Sequence, residues 1–191
     1  MAEKVLDGMK IAIIVTDDFE QVELTEPKKA LDEAGAKTSI VAPHGGTVQG
    51  FRHDMKADLL PVNKTLGEVN ASQFDAVLLP GGALNADSLR MDAKAQGFVR
   101  ETDAAHKPIA VICHGPWLLV SAGLVKGRRI TSYYTIQDDI RNAEGQWEDS
   151  EVVKDRNWVS SRSPKDIPAF NREMIALFSA HWEKARRQHA A

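Results

Sequence analysis

Short apolar runs alternate along the chain with polar turns and with stretches of helical spacing. The first run, Lys10 to Val15, has the character of a parallel strand buried on both faces and ends in the polar turn Thr16 to Glu20. Pro27 opens a predicted helix to about Ala34, Gly35 stops it, and Lys37 to Val41 is the next strand, which completes a β-α-β unit. Glycines 45, 46 and 50 break any period between His44 and Met55 and predict a loop or small hairpin, followed by a short strand near Leu59 to Val62. A short helix is expected after Asn63, ending before Phe74.

Asp75 to Leu79 is another buried strand, and it stops at a loop that begins Pro80-Gly81-Gly82. Asp92 caps a helix from about Ala93 to Ala105, with Ala95, Phe98, Val99 and Thr102 at helical spacing. Ile109 to Ile112 reads as a strand and Pro116 to Ala122 as a helix closed by Gly123. Arg129 to Thr131 is predicted as a strand, Ile136 to Ala143 as a helix, and Val152-Val153 with Trp158-Val159 as a hairpin turning at Asp155-Arg156-Asn157. A last helix, from about Ile167 to Ala185, carries Ile167, Phe170, Met174, Leu177, Phe178 and Trp182 along one face.

Strands alternating with helices imply an open, mostly parallel α/β sheet covered on both faces, in which ligands sit at the carboxyl ends of the strands. The turns after Val15, Leu79 and Ile112 then share one edge, which brings Glu20, the Gly81-Gly82 loop and Cys113 together.

The chain's one cysteine stands where PIAVI meets CHGPWLLVS. A thiol at the end of a strand and the start of a helix faces unpaired N–H groups and the positive end of a helix dipole, both of which favour thiolate. Gly115 leaves room for a sharp turn that would push the side chain outward, as in the elbow that presents a nucleophilic serine in other α/β enzymes. The spacing is equally compatible with a small buried core side chain. Glu20 can exchange a proton with a thiol in reach, provided that burial and the thiolate charge raise its pKa; taken alone it also reads as a solvated loop acid.

At 191 residues a single domain over 1–191 is expected, with a core that needs neither disulfide nor metal. Composition is 43% hydrophobic and 27% charged, and the formal net charge of −3 argues against a general nucleic-acid binder. The sequence shows no apolar run of signal-peptide or membrane-spanning length, so a cytoplasmic location without membrane attachment is expected. One cysteine cannot form an internal disulfide, which fits a reducing compartment. Histidines 44, 53, 106, 114, 181 and 189 show no ligand spacing with Cys113, and there is no G-x-G-x-x-G or Walker pattern, so neither metal nor cofactor is expected.

VTDDFEQVEL, LLPGG, AVICHGPWLLVSAG, TSYYTIQDD and NWVSSRSP together resemble the DJ-1/PfpI family over roughly Lys10 to Phe178, closest to the PfpI-like branch of intracellular protease I and general stress protein 18. The resemblance implies a flavodoxin-like three-layer α/β/α sandwich of the class I glutamine amidotransferase-like type. It implies Cys113 as reactive thiol on a strained elbow, Glu20 as the acid bonded to it, and His114 as the histidine beside it. It also implies Asp87 as a triad acid supplied by a neighbouring subunit of a homo-oligomer. Gly81, Gly82 and the His114 N–H match the family's oxyanion hole, Tyr133 and Trp117 are substrate-lining candidates, and Trp117 and Tyr134 depart from the family's glutamine and proline.

The activity implied is stress-related cysteine chemistry on small reactive carbonyls or their adducts on proteins, of the glutathione-independent glyoxalase or deglycase type. Two other readings use the same parts: a cysteine peptidase with His114 protonating the leaving amine, and a redox sensor or chaperone in which Cys113 is oxidised.

Overall fold

The computed structural model describes residues 4–189. Its elements are β1 (Lys10–Ile14), β2 (Phe19–Glu20), α1 (Gln21–Glu33), β3 (Lys37–Ala42), β4 (Thr47–Arg52), β5 (Met55–Pro61), β6 (Lys64–Thr65), β7 (Ala76–Leu79), α2 (Ala83–Met91) and α3 (Ala93–Ala104). The second half continues with β8 (Ile109–Ile112), α4 (Pro116–Ser121), β9 (Arg129–Ile130), α5 (Gln137–Asn142), β10 (Gln146–Trp147), β11 (Val152–Asp155), β12 (Trp158–Ser161) and α6 (Ile167–His189).

The main sheet has the order β11-β12-β8-β7-β1-β3-β6. Its neighbours are parallel except at the β11–β12 hairpin. Strand β1 is interior, between β7 and β3, with Ile13 level with Ile40 of β3 and Leu78 of β7. Because successive strand residues face opposite sides, Ile11 and Ile13 enter one core while Ala12 and Ile14 enter the other. The first core is closed by α1 and α6 through Leu24, Leu31, Phe170, Met174 and Phe178, and the second by α2 to α5 through Leu89, Phe98, Leu118 and Ile140. The result is a flavodoxin-like three-layer α/β/α sandwich. Phe170, Met174 and Phe178 recur every four residues and are fully buried, and each contributes roughly 1.5–3 kcal/mol of apolar burial.

Four local expectations change. Helix α1 begins at Gln21, not Pro27, which lies inside it as the seventh residue. The proline costs one helical hydrogen bond, but Glu23, Leu24, Pro27 and Leu31 form a continuous buried face, and that packing carries the helix through. The helix expected after Asn63 is instead the short strand β6, paired with β3, and a 3-10 turn at Ala71–Gln73 held by a capping box on Asn70. The loop expected to begin at Pro80-Gly81-Gly82 gives way to helix at Ala83, so Asp87 belongs to α2. The helix expected from Ile136 opens as a 3-10 turn, Tyr134–Ile136, before α5.

Apart from the main sheet, β2 pairs with β4, and β4 with β5, in a small sheet whose hairpin tip is at His53 and Asp54. Strand β1 leads outward through β3 to β6, and the chain then returns to the other side of β1 as β7. This reversal opens a crevice at the carboxyl ends of β1 and β7. Among the described residues no helix is long and apolar enough to cross a membrane.

Candidate active site

Cys113 follows the last residue of β8, and its N–H donates to the Ser161 carbonyl of β12 at 3.1 Å, the final rung of that parallel pair. Its φ of 62° is left-handed, a conformation that costs a non-glycine residue about 1–3 kcal/mol. The surroundings hold it there. Its carbonyl accepts the Tyr133 N–H at 2.8 Å, and the Gly115 N–H donates to the Ile112 carbonyl at 3.0 Å, which closes the turn into α4. The elbow points the thiol into a cavity of about 670 Å³ above the strand ends, where Cys113 is 7% exposed.

The carboxyl that meets this thiol belongs to Glu23, not to Glu20. Glu23 is one turn into α1 on its buried face, with its Oε2 accepting the Gly81 N–H at 2.9 Å, while Oε1 has no well-formed hydrogen bond. Burial is the main cause that pushes its pKa up to about 8; the nearby Glu20 charge adds to this, and bonds with the Cys113 thiol and the Gly81 N–H oppose it. Glu23 therefore carries its proton at neutral pH. Glu20 ends β2, lines the cavity, and accepts the His53 N–H of the hairpin tip at 3.0 Å. Beginning α1 at Gln21 rather than Pro27 is what turns Glu23 inward and leaves Glu20 at the rim.

Burial also pushes the Cys113 thiol well above its ordinary pKa, and the neighbouring Glu23 adds to the rise. Two backbone N–H groups, of Gly82 and His114, point at the sulfur and work in the opposite direction. The pocket thus disfavours two negative charges but supplies donors for one. The expected Gly81 donor is already engaged by Glu23, so the Gly82 and His114 N–H groups are the pair left facing the thiol.

Close packing explains both glycines. A Cβ at Gly81 would meet the Glu23 carboxyl and lie 2.6 Å from the Cys113 Cβ; one at Gly82, whose φ is 92°, would lie 2.6 Å from the Glu20 nitrogen. The loop is also anchored by Asn85, fully buried, which accepts the Thr16 N–H at 2.8 Å and donates to the Gly81 carbonyl at 2.9 Å.

His114 bends back so that its Nδ1 is 3.2 Å from the Cys113 Sγ. Its ring stacks on Tyr133 at 4.8 Å and meets the edge of Trp117 at 5.4 Å, while Nε2 is 3.4 Å from the Thr135 hydroxyl. Burial lowers its pKa below the ordinary histidine value, so the ring is neutral at pH 7, and in the tautomer with its proton on Nε2, beside Thr135, Nδ1 is free to take the thiol proton. Tyr133 and Tyr134 line the cavity. Trp117 does not; its indole N–H donates to Asp139 at 3.0 Å, and it acts on the site only by packing against His114. Asp87 is exposed on α2, and among the described residues the partners of the His114 ring are Cys113, Thr135, Trp117 and Tyr133, not Asp87. It shares its outer face with Leu84 and Met91, which are 61% and 80% exposed.

The thiol on its strained strand-to-helix elbow, the protonated carboxyl from the first helix and the neighbouring histidine all fall within residues 9–177, the stretch that matches the model of the DJ-1/PfpI family. The chain belongs to the DJ-1/PfpI family. It is 44% identical to the protein named Deglycase PfpI from Pyrococcus furiosus over 170 residues, 88% of this chain and 99% of that one. It is 42% identical to General stress protein 18 of Bacillus subtilis, covering 89% and 98% of the two chains. Among solved structures, the ThiJ/PfpI domain protein of Brachyspira murdochii superposes with a TM-score of 0.84 at 23% identity, over 91% of this chain and 98% of that one, and shares the fold.

Of the residues singled out in the sequence of this DJ-1/PfpI chain, Cys113, His114, Gly82, Tyr133 and Glu20 line one cavity. Glu23 and Asn85 were missed. The signal for Glu23 was available, because an acid at position 23 shares helical spacing with Pro27 and Leu31 once the helix is allowed to start before the proline.

Proposed function

We propose that this DJ-1/PfpI chain is a cysteine enzyme acting on small reactive carbonyls and their adducts, in the manner of a glutathione-independent glyoxalase or deglycase. The observation that carries the reading is the arrangement around the sulfur: a neutral histidine nitrogen 3.2 Å away and a protonated carboxyl beside it. As Cys113 attacks an aldehyde carbon, its proton passes to His114 Nδ1, the S–C bond forms, and the carbonyl π pair moves to oxygen. The Gly82 and His114 N–H groups stabilise that negative charge, and the proton held on His114 then completes the hemithioacetal and leaves the imidazole neutral.

For a 2-oxoaldehyde such as methylglyoxal, the C–H proton of the hemithioacetal carbon is then removed by neutral His114 and a proton is returned to the adjacent carbon. The thioester that results is cleaved by water to lactate, and the thiol is restored. Methylglyoxal plus water gives lactate, with no added redox partner. For a hemiaminal adduct, the Cys113 sulfur instead displaces the amine from the carbon that bears it: the S–C bond forms as the C–N bond breaks, and the thiol proton held on His114 passes to the nitrogen, which leaves as the free amine; the relative's name, Deglycase PfpI, is in keeping with that step.

In this reading the working unit is a homo-oligomer in a reducing compartment, with Asp87 of a neighbouring copy reaching His114. The apolar stripe of Leu84 and Met91 on either side of Asp87 supports such a contact. The test is purified protein with methylglyoxal beside a casein-type peptide. Lactate without peptide cleavage is expected; peptide cleavage makes the protein a hydrolase, and neither, with Cys113 oxidised by peroxide, makes it a sensor. Cys113→Ser must lose whichever activity is found.

A further inference from the structure

After β12 the chain crosses the cavity wall as Ser163-Pro164-Lys165, and all three residues line it. This short turn is fixed in place. The Asp166 N–H donates to the Ser163 carbonyl at 3.0 Å, and Arg162 grips the Asp166 carboxylate through two bonds of 2.8 and 3.1 Å while a third, of 2.8 Å, reaches Asp149. The charges of Asp166 and Arg162 are thereby spent on each other and on Asp149. Among the described residues, the Ser163 hydroxyl and the Lys165 ammonium have neither a hydrogen-bond nor an ion-pair partner. The turn thus places a half-buried serine and an exposed lysine, two residues apart, on the lining of the cavity that holds the thiol.

We infer that Ser163 and Lys165 form an anion subsite that holds a carboxylate of the substrate, so that the carbonyl compounds brought to Cys113 are adducts of amino acids or of other carboxylate-bearing amines and thiols. This rests on the carbonyl chemistry proposed above and names its substrate class. The volume fits, since about 670 Å³ far exceeds what a three-carbon aldehyde needs. The charge balance fits as well. Asp18 and Glu20 line the same cavity, which disfavours a phosphate dianion but tolerates a monoanion paired with Lys165, and it leaves an acidic wall for the amine end of an amino-acid adduct.

The inference is tested without relying on turnover, by the rate at which Cys113 is alkylated by anionic iodoacetate relative to neutral iodoacetamide, followed by intact-protein mass spectrometry. The ratio of the two rates cancels the intrinsic reactivity of the thiol. It should fall about two- to five-fold in Lys165→Gln, stay near wild type in Lys165→Arg, and lose its dependence on residue 165 at 1 M salt. An unchanged ratio in Lys165→Gln, or an equal fall in both rates, overturns the subsite. Charge-selective alkylation in a protein that never turns over methylglyoxal would keep the subsite and refute the carbonyl chemistry; lactate formation with an unchanged ratio would do the reverse.

Discussion

The Sγ of Cys113 lies 3.2 Å from Nδ1 of His114, its immediate neighbour in the chain. Adjacent side chains ordinarily point apart, and the contact exists because Cys113 is held at a φ of 62° while Tyr133 stacks on the imidazole and keeps it folded back. Nucleophile and base therefore come from one turn. Replacing Cys113 by Ser should lower carbonyl turnover by about 10³-fold or more while leaving the fold intact by circular dichroism. Retained turnover would place the chemistry elsewhere.

Glu23 and Glu20 make opposite predictions. Glu23→Gln removes the carboxyl that faces the thiol and should cost about 10²-fold or more in kcat. Glu20→Gln, at the rim and tied to the His53 N–H, should cost less than tenfold. Steady-state kinetics of the two variants decide between them, and the reverse order would return the acid role to Glu20.

Glu23 also sets a pH dependence of stability. Its pKa is about 8 in the folded chain against 4.5 for a free glutamate, so the folded state holds a proton that the unfolded state releases. The contribution is fully present below pH 4.5 and is lost as pH rises through about 8. Urea melts from pH 4.5 to 8 should show wild type losing stability relative to Glu23→Gln, and parallel curves for the two proteins would contradict the assignment.

Activity should follow a related profile. On the acid side it should fall below the ordinary histidine range, where His114 becomes protonated and can no longer take the thiol proton. On the alkaline side it should fall near pH 8 as Glu23 ionises beside the sulfur, and this limb should vanish in Glu23→Gln. The measurement is kcat/KM against pH.

Asp87 is tested together with the surface that carries it. Asp87→Asn in an intact oligomer should reduce kcat/KM at least tenfold, and Leu84→Glu should weaken the oligomer, as read by light scattering, and lose activity with it. Unchanged turnover by Asp87→Asn in an intact oligomer removes the acid from the site.

Packing at the loop gives one further expectation. Gly81→Ala would place a methyl 2.6 Å from the Cys113 Cβ and against the Glu23 carboxyl, and should destabilise the protein by about 1–3 kcal/mol in chemical denaturation. A neutral effect would show that the elbow yields more readily than its contacts suggest.

Much of this protein is determined by sequence pattern alone. Buried strands such as Ile109–Ile112, the Asp92 cap of α3, and the four-residue spacing of Phe170, Met174 and Phe178 are local signals, and they suffice for a parallel sheet with its site at the strand ends. The family motifs and the thiol at the strand-helix junction are equally local. What only the tertiary structure decided is which acid the thiol meets. Pro27 carries a strong local preference for a helix start, yet packing of Glu23, Leu24 and Leu31 on the sheet overrides it, and six extra helical residues turn Glu23 inward. Which N–H groups remain free for an oxyanion depends likewise on partners far apart in the chain, such as Glu23 with Gly81. A sequence names the groups that can bond; only the folded chain determines which of them are already taken.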